Sequence, residues 1–135
     1  MDGVIVTPLK QIYNPKGDIF HAMKKSDEGF EGFGEAYFST IHKDDIKGWK
    51  KHTKMILNLI VPLGSIEFVV YNNETKEFFS IELSQKNYKR LTVKAGLWMA
   101  FRGKDENNML LNLASIEHDS NEAVNIEINK IKYEW

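Results

Sequence analysis

Short apolar stretches separated by polar turns run along the middle of the chain. Met55–Leu63 leads through Gly64 into Ile66–Tyr71, a pattern that predicts two strands joined by a turn. In Glu77–Leu83 apolar and polar residues alternate, which is typical of a half-buried strand. The hydrophobic pattern of this region therefore favours β-structure over helices.

The same pattern continues on both sides of this region. Ser84 has the residue type of a helix N-cap, so we predict a short helical turn over Ser84–Tyr88. The C-terminal stretch Ala123–Trp135 begins with strand-like alternation. Further strands are predicted at Gly17–Phe20, Gly34–Ile41, Leu91–Val93, Gly96–Phe101 and Met109–Ala114. Regular short strands of this kind indicate an all-β sandwich or barrel.

Composition limits the possible functions. A chain of 135 residues with 42% hydrophobic content predicts one domain, residues 1–135, around one core. The 18 basic and 19 acidic residues leave a net charge of −1, which argues against nucleic acid or a membrane surface as partner. The absence of cysteine excludes disulfides, thiolate zinc sites and a cysteine nucleophile. Met1–Leu9 lacks signal-peptide features and no apolar stretch is long enough to span a bilayer, so we predict a cytoplasmic protein.

Two segments resemble a known family. Leu83–Phe101 resembles the strand–turn–strand of dTDP-4-dehydrorhamnose 3,5-epimerases, in which Asn, Leu, Gly and Phe recur at this spacing. Lys47–His52 (KGWKKH) resembles the Arg-Gly-aromatic-His segment of these epimerases and of the related dTDP-4-keto-6-deoxyglucose 3,4-ketoisomerases. Other short segments fall in the family's order, so the resemblance spans nearly the whole chain: Gly17-Asp18, Glu35–Ser39, His118–Glu122 and Tyr133–Trp135.

The resemblance implies a single-domain, cupin-type jelly-roll barrel that acts on a dTDP-linked 4-keto-6-deoxy sugar. It implies a homodimer, a nucleotide sugar as the bound small molecule, no metal and no redox cofactor. The pathway would be bacterial surface-polysaccharide, lipopolysaccharide or deoxysugar biosynthesis. Of the His-x-His, Glu and His ligands that other cupins use for metals, only His52 remains, which also predicts no metal site.

Proton transfer beside a ketone needs a base, a group that holds the enolate oxygen and an acid. The family's base position is Lys50 in this chain, and a lysine acts as a base only where burial or neighbouring cations favour its neutral form. A solvated basic strand end is the alternative for Lys50. His52 shares a strand face with Lys50, and an imidazole is a side chain suited to proton transfer, so His52 is our best acid–base candidate, against an ordinary surface histidine. Tyr37, near a ketoisomerase active-site tyrosine, is a candidate acid or a rim residue.

Candidate substrate-binding residues surround this segment. Lys47 replaces the family's phosphate-binding arginine. It keeps the positive charge, but its ammonium cannot donate the two parallel hydrogen bonds that a guanidinium gives to a phosphate. Lys54 belongs to the same basic cluster, and Arg102 is a second phosphate candidate or a solvated turn residue. Trp98 matches an aromatic of the ketoisomerases or is a core tryptophan.

The sequence also departs from the family. Met99 stands where the family signature has a histidine, and methionine does not carry protons. Two functions therefore remain open: an epimerase or ketoisomerase, and a binding protein that kept the barrel, lost the reaction and holds a nucleotide sugar or a partner enzyme. A barrel that holds an unrelated carbohydrate or carboxylate is a third possibility, because one fold hosts many functions.

Overall fold

Two antiparallel sheets make up most of the computed structural model, which describes residues 1–135. The only helix is a single 3-10 turn, Ile128–Lys130, so the protein has no helix with the length and apolar character needed to cross a membrane. The strands are β1 Val4–Pro8, β2 Gln11–Ile12, β3 Ile19–Phe20, β4 Glu35–His42, β5 Ile46–His52, β6 Leu57–Leu63, β7 Ser65–Asn72, β8 Glu77–Ser84, β9 Lys89–Val93, β10 Trp98–Gly103, β11 Asn107–Ala114 and β12 Ala123–Asn125.

The strand order is that of a double-sheet barrel. The first five-stranded sheet has the order β1-β9-β6-β11-β4, and the second has the order β12-β5-β10-β7-β8. The hairpin of β2 and β3 forms a small third sheet. Strands that follow each other in the chain therefore often lie in opposite sheets, which closes the two layers around one core. The all-β prediction is confirmed.

Strand β7 is apolar at consecutive positions because both of its faces pack against other apolar residues. Ile66, Phe68 and Val70 point into the main core between the sheets. Val69 and Tyr71 point the other way, into a second cluster on the outer face of the second sheet. The C-terminal residues Ile126, Ile131, Tyr133 and Trp135 pack against that outer cluster. Because both faces of this strand are covered, neither face needs polar residues.

The predicted helical turn at Ser84–Tyr88 is wrong. The hydroxyl of Ser84 accepts the backbone N–H groups of Lys86 and Asn87, both at 3.2 Å, as a cap would. The chain then enters β9 at Lys89 instead of continuing as a helix. Hydrogen bonds from nearby backbone N–H groups to a serine hydroxyl stabilise turns as readily as helix ends. The residue type alone therefore could not distinguish a turn from the start of a helix.

Strand β1 was not predicted from the sequence. It pairs with β9 from Val4 opposite Val93 to Pro8 opposite Lys89 and forms the edge of the first sheet. Val4 and Val6 pack against the main core. A short edge strand that buries only alternate residues carries a weak hydrophobic signal.

A β-bulge in β5 determines which of its side chains face the barrel interior. Met99 of β10 lies opposite Lys50, whereas Phe101, two residues later, lies opposite Lys47, three residues away. Gly48 and Trp49 thus oppose the single residue Ala100. The extra residue lets Trp49 fill the outer cluster while Lys47 and Lys50 share the inner face.

Gly48 makes this bulge possible, and its replacement tests the bulge. Its φ is +149°, and an added Cβ would lie 2.4 Å from the Cβ of Ala100. Gly48→Ala should lower the free energy of unfolding by about 2–4 kcal/mol, through strain and displacement of the strand. Urea denaturation measures the loss.

Gly96→Ala is the matched control. Gly96 also has a positive φ, +95°, but a Cβ there would meet nothing within 4 Å. Its cost should be only the conformational one, about 1 kcal/mol. Equal losses in the two variants would contradict the steric role of Gly48.

Candidate active site

A cavity of about 340 Å³ lies between the inner faces of the two sheets. Its apolar floor consists of Leu57, Leu59, Met99, Phe101 and Leu110. Its polar walls come from Tyr37 and Ser39 of β4, from Lys47, Lys50 and His52 of β5, and from Asn112 and Asn125. The polar residues cluster where β4 and β5 face each other, so this end of the barrel is open to a polar ligand.

His52 is oriented by a buried carboxylate. Its side chain is 12% exposed and its Nδ1 is hydrogen-bonded to Oε1 of Glu122. Since an ionised carboxylate can only accept, Nδ1 carries the proton of that bond. In neutral His52 the Nε2 lone pair is therefore free, which is the tautomer that a general base requires.

Glu122 is held in place by the connection between β5 and β6. Its Oε2 accepts the backbone N–H groups of Lys54 at 3.0 Å and Met55 at 3.1 Å. Its own carbonyl accepts the backbone N–H and the hydroxyl of Thr53, both at 2.7 Å. Burial alone would raise the pKa of Glu122, but the hydrogen bonds from His52, Met55 and Lys54 lower this pKa to about 2. Glu122 is therefore a fixed anion beside His52 at neutral pH.

Two lysines bring positive charge to the cavity. Lys50 lines it beside His52, on the same strand face, and opposite Met99. Lys47 also lines it, and its Nζ donates to the backbone carbonyl of Thr40 at 2.6 Å. That bond fixes the ammonium of Lys47 against strand β4. The cavity thus combines one oriented imidazole with two cations.

Tyr37 faces these groups from the other sheet. It lies on β4, the edge strand of the first sheet, and lines the cavity. Its hydroxyl oxygen accepts a hydrogen bond from Nδ2 of Asn112 at 3.0 Å. His52 lies on β5 of the second sheet, so the imidazole and the phenol approach a bound ligand from opposite walls.

The remaining predicted binding residues do not line the cavity. Trp98 packs in the outer cluster beneath the ammonium of Lys51, 4.9 Å from its ring. Arg102 pairs with Asp44 at 2.9 Å, at the turn that precedes β5. Lys54 is exposed beyond the end of β5. The structure thus brings together Tyr37, Lys47, Lys50 and His52, and leaves these three outside; substrate binding by them stays a prediction.

Ser39 of β4 was not predicted as a site residue, and neither were three other polar residues of the site. Glu122 is 3% exposed and precedes β12, 70 residues from its partner His52. Asn125 lies opposite Lys50 on β12, and Asn112 interrupts the apolar inner face of β11. A lone asparagine in an apolar strand was a usable signal for Asn112. Glu122 and Asn125 depend on a long-range contact that no local pattern reveals.

The arrangement can exchange a proton with a ligand but offers no ready metal site. No group of three or more His, Asp or Glu side chains comes together in the structure. The base, the fixed anion, the cations and the phenol are the groups needed to remove a carbon-bound proton and hold the negative charge that results.

Comparisons with known proteins show that the fold is that of the dTDP-sugar cupins. A family model described as FdtA, WxcM-like, C-terminal, matches residues 2–129, and the chain belongs to this family. The family resemblance seen in the sequence is thereby confirmed. A comparison with curated proteins finds no match.

Solved structures agree with this assignment. A dTDP sugar isomerase from Desulfovibrio desulfuricans is 26% identical, with a TM-score of 0.93 over 99% of this chain and 91% of that one. A mutant of the 3,4-ketoisomerase QdtA from Thermoanaerobacterium thermosaccharolyticum, in complex with TDP-4-keto-6-deoxyglucose, is 25% identical, with a TM-score of 0.80 over 92% and 88% of the two chains.

A more distant structure shares the fold alone. The 3,5-epimerase RmlC from Legionella pneumophila, in complex with dTDP-4-keto-L-rhamnose, is 13% identical. Its TM-score is 0.86 over 100% of this chain and 79% of that one. The cupin fold prediction is confirmed.

Replacing Glu122 tests the charge at this site. Glu122→Gln should lower the free energy of unfolding at about pH 7 by about 2 kcal/mol, because charge-assisted hydrogen bonds are lost. The folded-state pKa lies below the ordinary 4.5, so the carboxylate's contribution is complete above pH 4.5 and is lost as the pH falls towards about 2. The difference between wild type and variant should therefore shrink on acidification.

Urea denaturation at about pH 7 and about pH 3 measures this difference. Glu117→Gln, in the exposed stretch before Glu122, is the control and should behave like the wild type at both values. A Glu122→Gln deficit that stays constant between the two pH values would contradict a lowered pKa for Glu122.

Proposed function

We propose that the protein is an isomerase of a dTDP-linked 4-keto-6-deoxyhexose, and that it moves a proton at the carbon next to the ketone. The observation that carries the proposal is the His52–Glu122 pair at the wall of a cavity with two cations. Membership of the FdtA-like family and the likeness to a dTDP sugar isomerase support the substrate class.

His52 is the base in this proposal. Its Nε2 takes the proton from the carbon beside the ketone, and the electrons of the C–H bond move onto the ketone oxygen as an enolate. The imidazolium that forms keeps its hydrogen bond to Glu122, whose negative charge stabilises it. The buried anion thus favours the charged state that proton abstraction creates.

Lys50 holds the enolate. Its ammonium lies on the same strand face as His52 and is the cation next to it in the cavity. A cation at that position lowers the energy of the developing negative charge, and this role needs no neutral lysine. Lys47, fixed against the carbonyl of Thr40, is placed to attract the diphosphate.

Tyr37 returns a proton. Because it lies on the wall opposite His52, its hydroxyl reaches the other face of a sugar bound between them. Protonation of the enolate carbon from that face inverts the carbon. Where that carbon also carries a hydroxyl, transfer of the hydroxyl proton to the former ketone oxygen and protonation of the former ketone carbon move the ketone, and His52 and Tyr37 then recover their resting protonation states by exchange with solvent. The cavity volume, about 340 Å³, is at the small end of ligand pockets, which suits the sugar with the nucleotide extending outward.

Deuterium exchange tests the reaction directly. The purified protein in D₂O with dTDP-4-keto-6-deoxyglucose should place deuterium on a carbon beside the ketone, observed by proton NMR as loss of that signal. His52→Asn should reduce the exchange rate by at least about 100-fold, since general-base catalysis is lost.

His42→Asn is the matched control, because His42 is exposed on β4 and does not line the cavity. It should leave exchange unchanged. The proposal fails if no dTDP-4-keto-6-deoxyhexose acquires deuterium from the unmodified protein while an authentic epimerase, assayed in parallel, labels its own substrate.

Lys50→Met tests the role of charge. The variant should keep the fold and lose about 10–100-fold in exchange rate, because the enolate loses its cation. Lys50→Arg should retain most of the rate. Lys51→Met, on the opposite face of the same strand, is the control and should match the wild type. Equal rates in Lys50→Met and wild type would remove Lys50 from the mechanism.

A second candidate function rests on Met99. This residue lines the cavity at the position where the family signature has a histidine, so one proton carrier of the family is missing. A protein that binds the nucleotide sugar without turnover would show thermal stabilisation by dTDP-sugars and no deuterium exchange. Stabilisation by none of them would count against both functions. The homodimer and the cytoplasmic location stay predictions.

A further inference from the structure

Asn112 is a polar side chain in an apolar setting. It is 0% exposed and lies on the inner face of β11, between the buried residues Leu110 and Ala114. Its neighbours across the first sheet are Tyr37 on β4 and Leu59 on β6. Burying an amide costs free energy unless its donors and acceptors find partners, so the partners of Asn112 reveal its role.

The backbone determines which way the amide faces. Oδ1 of Asn112 accepts the backbone N–H of Asn58 at 3.0 Å, and Nδ2 donates to the hydroxyl oxygen of Tyr37 at 3.0 Å. A backbone N–H can only donate, so the amide oxygen must face it. The reverse orientation would place the NH₂ group of Asn112 against the N–H of Asn58, two buried donors facing each other.

The hydrogen bond therefore has one direction at Tyr37. The hydroxyl uses a lone pair to accept from Asn112, and its own proton is left to donate elsewhere. Tyr37 lines the cavity, so a ligand there is the available acceptor. The accepted bond also makes the O–H a better donor, since linked hydrogen bonds polarise one another.

We infer that Asn112 is a positioning residue that aims the hydroxyl proton of Tyr37 into the cavity. The inference rests on the proposed function, in which Tyr37 returns a proton to the sugar. Asn112 itself forms no bond with the substrate in this scheme. It links the backbone of β6 to the phenol of β4, so the framework of the sheet sets the direction of proton delivery.

Asn112→Asp reverses the bond with minimal change in shape. The carboxylate still accepts the N–H of Asn58, but it can no longer donate to Tyr37. The hydroxyl of Tyr37 then donates to the new carboxylate, away from the ligand. Formation of isomerised product should fall about 100-fold with KM unchanged, while deuterium exchange driven by His52 continues at a rate within about threefold of the wild type.

A double-mutant cycle separates positioning from structural damage. Tyr37→Phe alone should cause a similar loss of product, and adding Asn112→Asp to it should cause no further loss, because the two residues act through one proton. Equal losses from Asn112→Asp in the wild-type and Tyr37→Phe backgrounds would overturn the inference. So would a fall in exchange that parallels the fall in product.

A measurement on the unsubstituted amide keeps the inference testable if Asn112→Asp does not fold. In protein labelled with ¹⁵N-asparagine, Tyr37→Phe should shift the side-chain NH₂ signals of Asn112 and leave those of the exposed Asn73 in place. Unshifted signals would overturn the hydrogen bond itself. Absence of deuterium exchange in the wild type would instead overturn the proposed function, and the amide signals would still decide the orientation.

Discussion

The site depends on one irregularity, the bulge in β5 at Gly48 and Trp49. A regular strand presents alternate residues to one face, so Lys47 and Lys50, three positions apart, would lie on opposite faces. In the bulge, Gly48 and Trp49 together lie opposite Ala100, and this extra residue brings both lysines to the inner face. Trp49 itself is 0% exposed and lies in the outer cluster. The cavity chemistry and the packing of the C-terminal segment are therefore set by the same extra residue.

The C-terminal segment contributes to the site on both sides of this strand. Its aromatic residues cover the outer cluster around Trp49, and the N–H and carbonyl of Ile126 pair with those of Trp49. A few residues earlier, Glu122 orients His52 and binds the start of the β5–β6 connection. Strand β5 is thus held between β10 and this segment, so the imidazole has a fixed position before any ligand arrives.

The sequence allowed the fold to be predicted more fully than the site. Strands such as Met109–Ala114 carry a strong apolar pattern, and the resemblance of Leu83–Phe101 to a sugar-nucleotide family adds an independent argument. The shared face of Lys50 and His52 followed from strand alternation beyond the bulge. The bulge itself could not be predicted, because nothing in the sequence distinguishes Gly48 from other glycines. Only the structure shows that a Cβ added at Gly48 would lie 2.4 Å from the Cβ of Ala100.

Long-range contacts explain the other gaps. Glu122 is an unremarkable acidic residue in the sequence, and only the fold brings it to His52. Trp98 was predicted from its match to a family aromatic, and Arg102 from its charge just after the same predicted strand. Neighbouring residues on a strand face opposite ways, and both residues alternate with Met99 and Phe101, which line the cavity. A motif identifies a strand, whereas the register of that strand decides which of its residues meet the ligand.

The loss of two family histidines limits how the remaining groups can work. With Lys50 and Met99 in their places, His52 is the only imidazole in the cavity, and a single imidazole on one wall delivers its proton back to the face from which it came. Inversion of the carbon beside the ketone needs a second proton donor on the opposite wall. Tyr37 is on the opposite sheet, and its bond to Asn112 leaves its proton free. In the proposed reaction, inversion of the carbon beside the ketone therefore depends on the imidazole of His52 on β5 and the phenol of Tyr37 on β4 lying on opposite walls.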